Sequence, residues 1–116
     1  MNSYKDLIVW QKSLILTKEV YRITEGFPKS EMYGLSNQLR RASVSVMSNI
    51  AEGFSRRTFK EGQQFLSMAF GSTSEIESQL ILAHELGFIK EGYLATIDLL
   101  IEVRKMLNSM IKRSKS

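Results

Sequence analysis

Arg40, Arg41, Ser45, Asn49 and Glu52 are polar residues spaced closely enough to act as a group. On a helix advancing about 100° per residue, Arg41, Ser45, Ser48, Asn49 and Glu52 share one side, opposite the row from Leu39 to Val46. General acid–base chemistry needs a second acid or base beside a lone carboxylate, and none accompanies Glu52. The expectation for Arg40, Arg41, Asn49 and Glu52 is therefore a polar network between helices that fixes their register. Glu52 is also placed to pair with a neighbouring helix or with Arg56 and Arg57.

Other constellations fail sooner. His84 is the single histidine and cysteine is absent. That removes a di-iron site built on paired Glu-x-x-His motifs, a thiolate nucleophile and the usual zinc ligands. No glycine-rich phosphate loop precedes a helix, and no Gly-x-Ser-x-Gly elbow occurs. No catalytic residue, cofactor or metal is expected, and His84 reads as a surface or rim residue. The chain does not read as an enzyme.

Charge is distributed unevenly. Residues 40–60 carry Arg40, Arg41, Arg56, Arg57 and Lys60 against Glu52. Residues 61–103 are acidic, with Lys90 the sole base; from Arg104 onward come Arg104, Lys105, Lys112, Arg113 and Lys115 and no acid. The net charge of +4 favours a polyanion over a polycation as partner.

The length of 116 residues suits one domain, and 43% hydrophobic with 24% charged residues is the balance of a folded protein. One proline and seven glycines favour long helices over many short strands. Absence of cysteine, a charged start without a signal peptide's apolar core, and no apolar run near the roughly 20 residues of a bilayer span point to a cytoplasmic protein without a membrane partner.

Hydrophobic periodicity predicts an all-α, up-down-up-down antiparallel bundle of four helices, at about 5–25, 31–53, 59–86 and 90–113. Gly26 is expected to adopt a left-handed C-cap before Pro28, with Phe27 tucked against the bundle. Ser30 is expected to cap the second helix and Gly53 to end it. Thr58 and Glu61 form a capping box for the third. Gly71-Ser72-Thr73-Ser74 offers a break in that helix. The heptad phase runs unshifted from Thr73 to Ile76, so the small residues are read instead as a site of close helix approach, at a propensity cost of about 1 kcal/mol.

The fourth helix carries apolar residues over roughly 240° of its circumference, more than the stripe of somewhat over 100° that a bundle needs. The first is almost as broad, with Ile8 and Ile15 outside its main stripe. Such surplus predicts self-association, with Leu99, Val103, Met106 and Met110 as candidate interface residues. Up-down topology also gathers Lys5, Arg56, Arg57, Lys60, Lys112, Arg113 and Lys115 at one end. Glu25, Glu31, Glu85 and Glu91, with Lys29 and Lys90, fall at the other. The helix dipole favours bases at C-termini, which accounts for Lys112, Arg113 and Arg56, but it disfavours Lys5 and Lys60 at N-termini. Arg56, Arg57, Lys60, Lys112, Arg113 and Lys115 are the candidate phosphate ligands, a mode of binding with steep salt dependence and little sequence preference.

The segments Asp6-Leu7-Ile8-Val9-Trp10-Gln11, Phe27-Pro28, Glu31-Met32-Tyr33-Gly34-Leu35, Gln38-Leu39-Arg40-Arg41-Ala42 and Asn49-Ile50-Ala51-Glu52-Gly53 follow in that order, with Ala69-Phe70-Gly71-Ser72 and Glu75. In these the chain resembles the four-helix-bundle family encoded in intervening sequences of bacterial 23S rRNA genes. The resemblance implies a homopentameric ring. It also implies similarity to the accessory variability determinant of diversity-generating retroelements, a basic pentamer that binds nucleic acid and a reverse transcriptase. Two functions are then expected: a homo-oligomeric accessory protein binding RNA or DNA, or a protein-interaction scaffold without nucleic-acid binding.

Overall fold

The computed structural model describes residues 3–113. Its centre is a set of apolar side chains, one row from each of four helices. Leu16 and Val20 come from α1 (Ile8–Glu25), and Leu39, Val46 and Ile50 from α2 (Leu35–Ser55). Ile76 and Leu80 come from α3 (Phe59–Glu85), and Leu100, Val103 and Leu107 from α4 (Tyr93–Arg113). All of these are fully buried. Each row follows the helical repeat, so a single face of each helix leaves water.

Adjacent helices pack as α1 on α2, α2 on α3, α3 on α4 and α4 on α1, while the diagonal pairs make no close backbone approach. Cross-links show the antiparallel sense. Early α2 meets late α1 where Arg40 Nε donates to Thr24 Oγ1 at 2.8 Å. Early α2 also meets late α3, Gln79 Nε2 donating to Gln38 Oε1 at 3.2 Å. Early α3 meets late α4 where Gln63 Nε2 donates to the Met110 carbonyl at 3.4 Å. The result is a rod of 43 × 22 × 20 Å.

Several helix ends differ from the periodic reading, each for a local reason. The first helix begins at Ile8 rather than near Lys5. Ser3 instead caps a separate 3-10 turn, Tyr4–Asp6, by accepting from Lys5 N at 3.1 Å, and Leu7 is extended. Ser30 does not cap α2. It sits within a 3-10 turn, Lys29–Glu31, and the Glu31 carboxylate accepts from Leu35 N at 3.2 Å, moving the helix start four residues on. Gly26 takes right-handed helical angles, φ −85° and ψ −2°. The left-handed glycines are Gly87 and Gly92, at φ 76° and 86°, which close α3 and precede α4. At Gly87 the Phe88 amide reaches back to the Ala83 carbonyl at 2.9 Å, a Schellman closure, and α4 starts at Tyr93 instead of Lys90.

Helix α3 runs unbroken through Gly71. The close approach is elsewhere. A Cβ at Gly71 would meet nothing within 4 Å, whereas one at Gly62 would lie 2.9 Å from the Gly53 carbonyl oxygen, and one at Gly53 would lie 3.0 Å from that of Gly62. Gly53 therefore does not end α2, which continues to Ser55; it lets α2 and α3 cross backbone to backbone. Phe27 is buried and lies 5.6 Å from Phe88, ring to ring, joining the two connections at the opposite end.

Candidate nucleic-acid interface

The α2–α3 connection, the approach to α1 and the end of α4 meet at one end of the rod. Between them lies a cleft of about 410 Å³, whose lining includes Leu7, Phe54, Arg56, Arg57, Phe59, Met110 and Arg113. Thr58 starts α3 at this point by accepting from Glu61 N at 3.2 Å, which sets the direction in which Phe59 and Lys60 leave the connection. Arg57, Lys60 and Lys112 are exposed and make no ion pair within the described residues. Lys115 lies outside those residues.

Arg56 is different. Its Nη2 donates to Glu52 Oε2 at 2.6 Å, and its guanidinium lies 4.5 Å from the centre of the Phe65 ring. One positive charge of the basic end is thus partly answered from within α2, at the four-residue spacing that suits a helical ion pair.

The polar group on α2 does not gather into one network. Arg40 turns toward α1, bonding Thr24 and lying 4.6 Å over the Tyr21 ring. Asn49 Nδ2 donates to the Ser45 carbonyl at 2.8 Å, and Ser45 Oγ meets Ser72 Oγ of α3 at 3.0 Å. Glu52 pairs with Arg56, and Arg41 is exposed. Of the four, only Arg40 reaches another helix directly; Asn49 bonds Ser45, which meets α3, Glu52 pairs with Arg56 at the end of α2, and Arg41 makes no such contact among the described residues. The buried α1–α2 contact has its own bond, Thr17 Oγ1 donating to the Ser43 carbonyl at 3.1 Å.

Arg104 belongs to the basic C-terminal block in sequence but not to the basic end. It is half-buried midway along α4, donating to Thr73 Oγ1 at 2.9 Å and Ser74 Oγ at 2.7 Å, with its guanidinium 4.5 Å over the Phe70 ring. Thr73 Oγ1 also donates to the Phe70 carbonyl of its own helix, so Arg104 serves it as a second partner.

At the far end, Glu25, Glu85 and Glu91 are exposed and Glu31 is used as a cap. Arg22 packs against Gly92 there, whose φ of 86° disfavours any residue with a side chain. Its hydrogen bond to Glu19, then the charges of Glu19 and Glu91, hold its pKa above the ordinary arginine value. His84 is exposed and stacks on Tyr93 at 3.9 Å.

The candidate oligomer residues divide. Val103 is 0% exposed, so it is spent in the chain's own core and unavailable to a partner. Leu99, Met106 and Met110 are half-buried against that core. Exposed apolar side chains on these two helices include Ile8 and Ile15 on α1, at 59% and 51%, and Leu94 and Ile101 on α4. Ile8 and Ile15 flank Lys12, whose Nζ lies 2.7 Å from Glu102 Oε1 of α4. This ion pair ties α1 to α4 across the same face.

Among the described residues no helix is long and apolar enough to cross a membrane, and no group of His, Asp or Glu could hold a metal ion. Fold and site together define a class, the antiparallel four-helix bundle with a cationic, cleft-bearing end. Within it, the chain belongs to the family described as 23S rRNA-intervening sequence protein, which matches residues 5–109. Its backbone is similar to the crystal structure of a protein of unknown function from the S23 ribosomal protein family of Bacteroides thetaiotaomicron. That similarity has a TM-score of 0.83 and 23% identity, over 90% of this chain and 99% of that one. No curated protein matches the chain.

Proposed function

We propose that this chain is a non-enzymatic accessory protein of the cytoplasm that assembles as a homo-oligomer, a pentamer, and binds nucleic acid through its basic end. The observation that carries the reading is the placing of Arg57, Lys60 and Lys112 at the adjoining ends of α2, α3 and α4, exposed and without an acidic partner among the described residues, beside Arg113. A closed ring would repeat this patch around one face and multiply its attraction for a phosphate chain. The family's connection with an intervening sequence of 23S rRNA favours RNA over DNA. A reverse transcriptase or other protein is a further partner suggested by the resemblance to the retroelement accessory protein.

The test is charge reversal at Arg56 and Arg57 combined with neutralisation of Lys112 and Arg113, followed by RNA titration over a range of salt. Binding should be lost, and any residual salt dependence should flatten by about 0.7 in slope for each single-strand phosphate contact removed. Unchanged affinity would sink the reading.

A second reading, a protein-interaction scaffold, is favoured by apolar exposure at the acidic end, where Tyr33 is 88% and Leu94 73% exposed. Co-purification of one defined protein, with no retained nucleic acid, would support it instead.

A further inference from the structure

The cleft at the basic end has features that phosphate binding alone does not require. Phe59, the first residue of α3, is 65% exposed, and Phe54 is 40% exposed. Both line the cleft with Leu66, Met110, Arg57 and Arg113. A phenyl ring left in water forgoes most of the burial that makes aromatic residues stabilising elsewhere. The Gly53–Gly62 crossing explains the geometry. The helices touch backbone to backbone there, at 2.9–3.0 Å from a would-be Cβ, so room for a large side chain lies beside the crossing rather than within it. Apolar rings are thereby held at the mouth of a cleft whose volume, about 410 Å³, suits a small planar group.

The charge around the cleft selects what that group is attached to. Arg57, Arg113 and the nearby Lys60 attract an anion, while the Phe59 and Phe54 rings offer apolar faces. An unpaired nucleobase on a phosphate backbone has both properties, and a base within a duplex cannot present its face. We propose that the cleft accepts an unpaired base of a single-stranded nucleic acid, stacked on Phe59, while Arg57 and its neighbours hold the flanking phosphates. The proposal rests on the phosphate-binding reading above and adds to it the single-stranded form of the ligand.

The full-length chain is titrated with a short labelled single-stranded RNA, an abasic strand of the same length, and a duplex of the same sequence. The intact single strand should bind roughly tenfold more tightly than the abasic one. Phe59→Ala should abolish that preference without changing the salt slope, and Phe59→Trp should keep it. Because Phe59 is exposed, the alanine variant should retain the parent's thermal transition. Equal binding of intact, abasic and duplex ligands would overturn base insertion and leave phosphate binding standing. No binding to any of them would overturn both. If Phe59→Ala dissociates the oligomer yet preserves the preference for intact strands, Phe59 is a contact between copies and the proposal fails.

Discussion

Arg57 and Arg104 carry the same charge and are used differently. The Arg104 guanidinium satisfies the Thr73 and Ser74 hydroxyls and covers the Phe70 ring, so its work is structural. Arg104→Ala should lower unfolding free energy by about 1–2 kcal/mol in urea, from lost hydrogen bonds and ring contact, with nucleic-acid affinity unchanged. Glu52→Gln should do the reverse. The exposed Glu52–Arg56 pair contributes under about 1 kcal/mol to stability, but its carboxylate repels phosphate and occupies Arg56. Binding titrations should show higher affinity and a steeper salt dependence for that variant; weaker binding would show that Glu52 holds Arg56 in its working position. The Glu52–Arg56 pair was legible in the sequence because four-residue spacing on one helix is local. The Arg104–Thr73 contact was not, because it depends on how α4 is rotated and slid against α3.

At the scale of elements, glycine does opposite things at two points of α3. Gly62 lies against the Gly53 carbonyl, so Gly62→Ala forces two backbones apart and should destabilise by about 1–3 kcal/mol. An added Cβ at Gly71 meets nothing, so Gly71→Ala should stabilise by up to about 1 kcal/mol through helix propensity alone. Chemical denaturation of both variants checks the pair, and equal effects would contradict this assignment of the helix crossing. Helix identity, the Thr58 cap and the continuity of α3 followed from periodicity and capping chemistry. The starts of α1, α2 and α4 did not, because Ser3, Glu31 and Gly92 build short turns whose competition with the helix is decided by a few hydrogen bonds.

For the molecule as a whole, the surplus of apolar surface has moved. Val103 is consumed by the core, while Ile8 and Ile15 remain outside it on the side of α1 that meets α4. If that face joins copies, Ile8→Asp with Ile15→Asp should reduce the mass measured by light scattering while the helical circular dichroism signal persists. An unchanged mass would assign assembly to another surface. The separation of a basic end from an acidic one is likewise a property of the assembled rod, and Arg22 beside Glu91 makes the acidic end less uniformly negative than its carboxylates alone would.

The sequence by itself determined that there are four helices, which face of α2 and α3 is buried, and which stretches of chain carry positive charge. All three depend on residue type and on a repeat within one helix. Only the tertiary structure decided that Gly53 and Gly62 touch, that Arg104 bonds Thr73 and Ser74 of α3, and that Phe54 and Phe59 line one cleft between arginines. Those facts depend on the relative rotation and offset of neighbouring helices. Packing of the whole core sets that geometry, and no single helix encodes it.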